Sequence, residues 1–195
     1  GWQVFAIAHL FRLQSFLFNG ARRWSGVLKP DILNILGLGL VALGWCWRRT
    51  VGQRRQEWLL LGVGIALVLI TPHSRVWWWP TLLYPRFEAY IRPVDNLGVF
   101  ALFPWTGYIF AGAWLGTLLA RATDEVADLR LHRRLVRVGA WVVTAGFVTG
   151  WSSAVVPAVL PWTSALSPFL LRGGGVLMVM LPLRQWLRSG TDAWR

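Results

Sequence analysis

Apolar residues along the chain gather into six long runs, separated by connections that are basic, aromatic or rich in Pro. The runs are roughly Trp2–Phe18, Asp31–Trp47, Trp58–Thr71, Val99–Ala120, Val138–Val156 and Leu166–Trp186. A helix needs about 20 residues to cross the hydrocarbon core, with about 17 tolerated. The pattern therefore predicts an all-α, polytopic transmembrane helix bundle of about six spanning helices, with one or two short interfacial helices beside them. The third run meets the length only if it continues past Pro72 toward Trp79.

Two connections carry a pattern of their own. "VWWWPTLLYPRFEAYIRP" interleaves aromatics with Pro and Arg, which predicts a short helix or re-entrant loop along the outer interface, with Trp77, Trp78 and Trp79 as interfacial anchors or else as a lid over a binding cavity. "RATDEVADLRLHRRLVR" predicts a short cytoplasmic amphipathic helix. Thr123 is its candidate N-cap, acidic residues fall in its first turn and basic ones in its last. His132, inside that basic stretch, is read as solvated.

Composition agrees with the pattern. The chain has 195 residues, a mean hydropathy of +0.48 and only 14% charged residues, fewer than a soluble domain of this length carries. Fifteen Trp suit interfaces, where an apolar ring also presents an N–H. We expect one transmembrane domain over residues 1–195, and an N-terminus that enters an apolar run at its second residue is read as a fragment of a longer polytopic protein.

The net charge of +12 is not a nucleic-acid signature, because the basic residues sit between apolar runs rather than on a polar face. Twelve lie after the second, fourth and sixth runs and six in the alternate connections, which puts the first set, and both ends of the segment, in the cytoplasm. Juxtamembrane Arg also suits anionic lipid. The single cysteine, Cys46, allows no internal disulfide and is read as a small apolar residue.

Ionisable groups at membrane depth are costly and point to function. In the first run His9 and Arg12 share a face, with Gln14 on another, so this helix is expected to pack inside the bundle or beside a wet cavity. Arg12 either snorkels or pairs with a carboxylate, or else holds a ligand. Asp31 opens the second run as an N-cap candidate, with Asn34 completing a loose capping box, and it is also placed to pair with Arg12 or orient an imidazole. Arg172 stands beside three glycines that allow a close approach by backbone or ligand, although "RGGG" lacks the spacing of a phosphate-binding P-loop. The candidates are thus His9 and Asp31 for catalysis, Arg12, Trp105 and Arg172 for cofactor binding, and none for a metal. His9 is either a buried structural or pigment-contacting residue or a catalytic one.

"LFPWTGYIFAGAWLG", Leu102 to Gly116, places Pro104 where a first helical turn tolerates it. Gly112, Gly116 and Ala120 form a small-residue stripe suited to close helix contact in lipid. The whole stretch resembles a hallmark of the heparan-alpha-glucosaminide N-acetyltransferase catalytic-domain family of multi-span membrane proteins. "AHLFRLQSFLFNGARRWSGVLKPDILNILGLGL" is similar to the family's earlier Arg-rich pattern, and "SPFLLRGGGVLMVMLPL" to its bacterial members. The resemblance runs from about Val4 to Leu183 and implies the central part of a bacterial inner-membrane protein. In the family pattern the proposed catalytic His lies in an upstream segment, and further helices follow the "RGGG"-like region. The activity implied is transfer of an acyl group from acyl-coenzyme A to a sugar or glycan amine or hydroxyl across the membrane, with Arg residues holding the coenzyme A phosphates.

A different class of function fits the scarcity of acid and base groups and the Trp-rich exterior: an accessory or scaffold subunit of a respiratory or photosynthetic complex, packed against other membrane subunits or pigments. A transporter has less behind it, since no inverted repeat is visible.

Overall fold

The computed structural model describes residues 1–18, 30–49, 52–92, 94, 100–155 and 166–192. Arg22, Arg23, Lys29 and Arg195, used above to read topology, lie outside them. Among the described residues the chain forms helices and no strands. These are α1 (Trp2–Phe18), α2 (Ile32–Arg49), α3 (Gln53–Val76), α4 (Pro85–Ile91), α5 (Leu102–Ala120), α6 (Glu125–Val155) and α7 (Leu166–Asp192), with a short 3-10 turn at Trp79–Leu82. The protein is all-α, as the apolar periodicity requires. Three helices, α3, α5 and Leu166–Leu187 within α7, are long and apolar enough to cross a membrane. By that measure the described helices do not reach the six spans expected; α1, for example, has 17 residues and carries His9, Arg12 and Gln14.

The third run continues past Pro72, as its length required: α3 spans 24 residues and ends at Val76. Pro72 cannot donate to the carbonyl four residues back. Around it, Thr71 Oγ1 donates to the Leu67 carbonyl at 2.9 Å and Ser74 Oγ to the Thr71 carbonyl at 2.8 Å. Polar side chains thus bond within the helix, as Ser and Thr do beside Pro in lipid. The amphipathic stretch after Ala122 is not a separate helix. It is the first half of α6, which runs 31 residues without a break. Its N-cap is Asp124 rather than Thr123, since the Ala127 amide donates to Asp124 Oδ1 at 2.5 Å. In α5 the backbone is extended at Phe103 (φ −98°, ψ 126°), so the helix proper opens at Pro104, as its missing N–H favours.

The chain divides into two compact units, Gly1–Trp114 and Leu115–Arg195. In the first, α1 and α2 form an antiparallel pair. A methyl group added to Gly37 would lie 2.7 Å from the Phe5 backbone nitrogen, closer than real side chains come, so glycine is what lets these two helices touch. Gly39 likewise admits Thr106 and Ile109 of α5, and Gly64 of α3 contacts Phe110. Ile35, Leu60, Ala101 and Phe110 are the buried centre of this unit.

In the second unit α6 packs along α7. Gly139 and Gly174 face one another, and a methyl on either would sit 2.7–2.8 Å from the other's carbonyl oxygen. The middle glycine of "RGGG" is therefore a helix-packing residue, whereas a methyl at Gly173 or Gly175 meets nothing within 4 Å. The stripe expected to pack, Gly112 and Gly116, also has no described atom within 4 Å of an added methyl. Close approach by small residues does occur in this protein, but at other glycines.

Candidate functional site

The antiparallel pairing of α1 and α2 determines which polar groups of the first unit meet. Phe5 lies beside Gly37, so one and two turns further along α1 the residues 9 and 12 come opposite 34 and 31. Arg12 Nη2 is 3.0 Å from Asp31 Oδ2. Asp31 also accepts from the Ile32 amide through Oδ1 at 2.7 Å, and its carbonyl takes the first helical bond of α2, from the Ile35 amide at 3.1 Å. The same carboxylate thus starts α2 and holds α1 to it.

Asn34 is fully buried, and its side chain does not complete a capping box. Its amide nitrogen lies 3.0 Å from His9 Nδ1 and 3.3 Å from Nε2. His9 Nδ1 is in turn 3.0 Å from the Phe5 carbonyl, one turn earlier in α1. With the proton on Nδ1 donated to that carbonyl, Nε2 keeps a lone pair, shared with the Asn34 amide at 3.3 Å, that can take up a proton.

Two further residues come from α4, which the sequence reading treated only as part of an interfacial connection. Tyr90 is half-buried. Burial raises its hydroxyl pKa above the ordinary value, while the charge of Arg12 and a hydrogen bond from the Asn34 side chain pull the other way. Tyr90 and Arg86 line a cavity of about 250 Å³ together with Phe5, His9, Leu38 and Phe87. Arg86 Nη1 is buried and makes no hydrogen bond among the described residues. The one sequence signal for this pair was their spacing in "PRFEAYI", one turn apart on a short helix.

α4 is itself held in place by ion pairing. Arg92 Nε donates to Glu88 Oε1 at 2.7 Å, and its Nη1 donates to the carbonyls of Arg75 and Trp77 at 3.0 and 3.1 Å. A guanidinium thus closes the C-terminal end of α3 and ties it to α4, satisfying carbonyls the helix leaves open.

Of the other candidates, Trp105 on α5 stacks edge-on to Phe100 at 5.0 Å between ring centroids and tilts against Tyr108 at 5.8 Å. Arg172 is exposed on α7, in the second unit. Only His9 among the five lines the cavity, with Arg12 and Asp31 paired on the same two helices. At the other end of the α1–α2 pair, a second cavity of about 330 Å³ is bordered by Trp2, Val41, Trp45 and Arg48.

The second unit holds a cluster that the sequence reading missed. His132 is buried, not solvated. Its Nδ1 lies 3.1 Å from Asp128 Oδ1 and 2.8 Å from the Asp128 carbonyl, and the other carboxylate oxygen of Asp128 accepts from Arg184 Nε of α7. The spacing of Asp128 and His132, one turn apart, was visible in the sequence; the arrival of Arg184 was not. Among the described residues, no group of three or more His, Cys, Asp or Glu is placed to hold a metal. Compared with known proteins, the chain matches no family model, no curated protein and no solved structure.

Proposed function

We propose that the chain is the central part of an integral membrane acyltransferase-like protein, with the α1–α2–α4 cavity as the place where the acyl acceptor sits. The observation that carries this reading is an imidazole at the wall of an apolar cavity, oriented by a backbone carbonyl and a buried amide. In the reaction, His9 Nε2 takes the proton of an acceptor hydroxyl or amine. The freed electron pair attacks the thioester carbonyl of acyl-coenzyme A, the C–S bond breaks, and the proton passes to the departing thiolate. Tyr90 and Arg86 supply donors that orient the acceptor beside His9. The Arg48 and Trp45 cavity suits the coenzyme's charged and aromatic end, seven residues of α1 or about 10 Å from His9. The excess of basic residues on that side supports a cytoplasmic orientation for that end.

The test is acyl-coenzyme A consumption by the purified full-length protein in lipid nanodiscs. His9→Ala is expected to lose at least 100-fold in turnover, on the order of what a positioned base supplies, with its helical circular-dichroism signal retained as the control for folding. Unchanged turnover would remove His9 from the chemistry. An accessory role in a larger membrane complex is the competing reading. It is supported by the exposed aromatic faces of α6 and α7, where Trp141, Phe147, Trp151 and Trp186 stand out.

A further inference from the structure

Arg86 is a cation whose charge no described neighbour answers. Two carboxylates of the same unit are already committed. Asp31 is paired with Arg12, and Glu88, two residues from Arg86 on α4, is paired with Arg92. Arg86 Nη1 is buried without a hydrogen-bond partner among the described residues, and the same side chain lines the cavity beside the Tyr90 hydroxyl and the His9 ring. The rest of the wall is Phe5, Leu38 and Phe87. A guanidinium left without an anion in apolar surroundings is costly, and a ligand that brings the anion removes the cost. Guanidinium and phenol together present N–H and O–H donors to one space, which suits a carboxylate or a phosphate.

The size of the cavity narrows the ligand. At about 250 Å³ it falls just under the range of about 300–1,000 Å³ in which drug-sized ligands are enclosed. It accommodates a head group and the first few carbons of a chain, not a whole oligosaccharide. Phe87, at the wall, is 59% exposed, so the apolar lining continues to the protein surface and a longer chain has an apolar path outward.

We infer that this cavity binds an acidic amphiphile, its single carboxylate or phosphate head held by Arg86 and Tyr90 and its apolar chain leaving past Phe87. The inference names the acceptor class for the site proposed above and rests on that reading. It makes the acceptor a lipid or lipid-linked molecule rather than a free sugar. Arg86 acts as the anion anchor, and His9 remains available to the hydroxyl or amine that receives the acyl group.

The experiment is a titration of the full-length protein in phosphatidylcholine nanodiscs with dodecanoate, dodecyl phosphate and the neutral dodecyl maltoside, followed by calorimetry. Dodecanoate or dodecyl phosphate is expected to bind at least tenfold more tightly than the maltoside, and the tighter of the two identifies the head group. Arg86→Gln should abolish that preference and Arg86→Lys should keep part of it. Leu38→Trp, which fills the cavity without touching its charge, should block binding if Arg86→Gln proves unstable. Equal binding of the acidic and neutral amphiphiles, or a preference unchanged in Arg86→Gln and Leu38→Trp, overturns the inference. His9→Ala separates the two readings: acid-selective binding retained, with no acyl transfer in the unmodified protein, sinks the reaction and upholds the ligand class. Acyl transfer that is indifferent to Arg86 does the reverse.

Discussion

Asp128 of α6 bridges His132, one turn along its own helix, to Arg184 of α7, so a single carboxylate serves two helices. Both partners of the carboxylate are largely buried, with side-chain exposures of 9% for His132 and 11% for Arg184. Breaking a buried pair by removing one member costs about 3–5 kcal/mol, because the remaining charge is left without an answer. Asp128 is 23% exposed, which lowers the expectation to about 2–3 kcal/mol for Asp128→Asn. A double-mutant cycle of Asp128→Asn with Arg184→Gln, read by thermal unfolding in nanodiscs, should show a coupling of about 1–3 kcal/mol. Additive losses would mean that the two side chains are neighbours without being partners.

The glycines make opposite predictions at two sites. At Gly139 an added methyl lies 2.8 Å from the Gly174 carbonyl, so Gly139→Ala must push α6 away from α7. A loss of about 1–3 kcal/mol is expected, the usual cost of overpacking. At Gly112 nothing described lies within 4 Å of the new methyl, and α5 gains a better helix former there. Gly112→Ala is expected to be neutral or to stabilise by up to about 1 kcal/mol. Unfolding midpoints of the two variants, measured side by side, decide it. A destabilised Gly112→Ala would show that the stripe packs against something after all.

Tyr90 gives a pH dependence. Burial raises its pKa in the folded protein above the ordinary 10.0, more than Arg12 and Asn34 lower it. In the unfolded chain the hydroxyl ionises first, so above about pH 10 the unfolded state is favoured and stability falls as pH rises. Below that pH both states hold the proton and the group contributes no slope. Thermal midpoints taken from pH 8 to 11 should therefore fall less steeply in Tyr90→Phe than in the unmodified protein. Identical slopes would place Tyr90 in solvent.

Much of the secondary structure was legible because it is written in neighbours. α1 spans Trp2–Phe18 as its apolar run does, and Pro104 opens α5 where its chemistry allows. Pro72 left the end of the third run open in the sequence, and α3 runs through it to Val76, the longer of the two readings. His132 misled. Four Arg in the segment from Arg130 to Arg137 made it read as a solvated face, yet α7 covers one side of that helix. Asn34 looked like a capping residue in a line of text, and the chain instead points its amide at an imidazole 25 positions earlier. Arg86 and Tyr90 carried no signal stronger than a one-turn spacing.

The sequence by itself determined that this protein is helical, apolar and suited to a bilayer, since periodicity, length and charge act over a turn or a span. Tertiary structure alone decided which polar groups meet and which glycines touch. Those contacts join residues 25 apart for His9 and Asn34 and 56 apart for Asp128 and Arg184, and they depend on the register in which helices pair. Register is set by side chains packing across two helices, so no single stretch of the chain contains it.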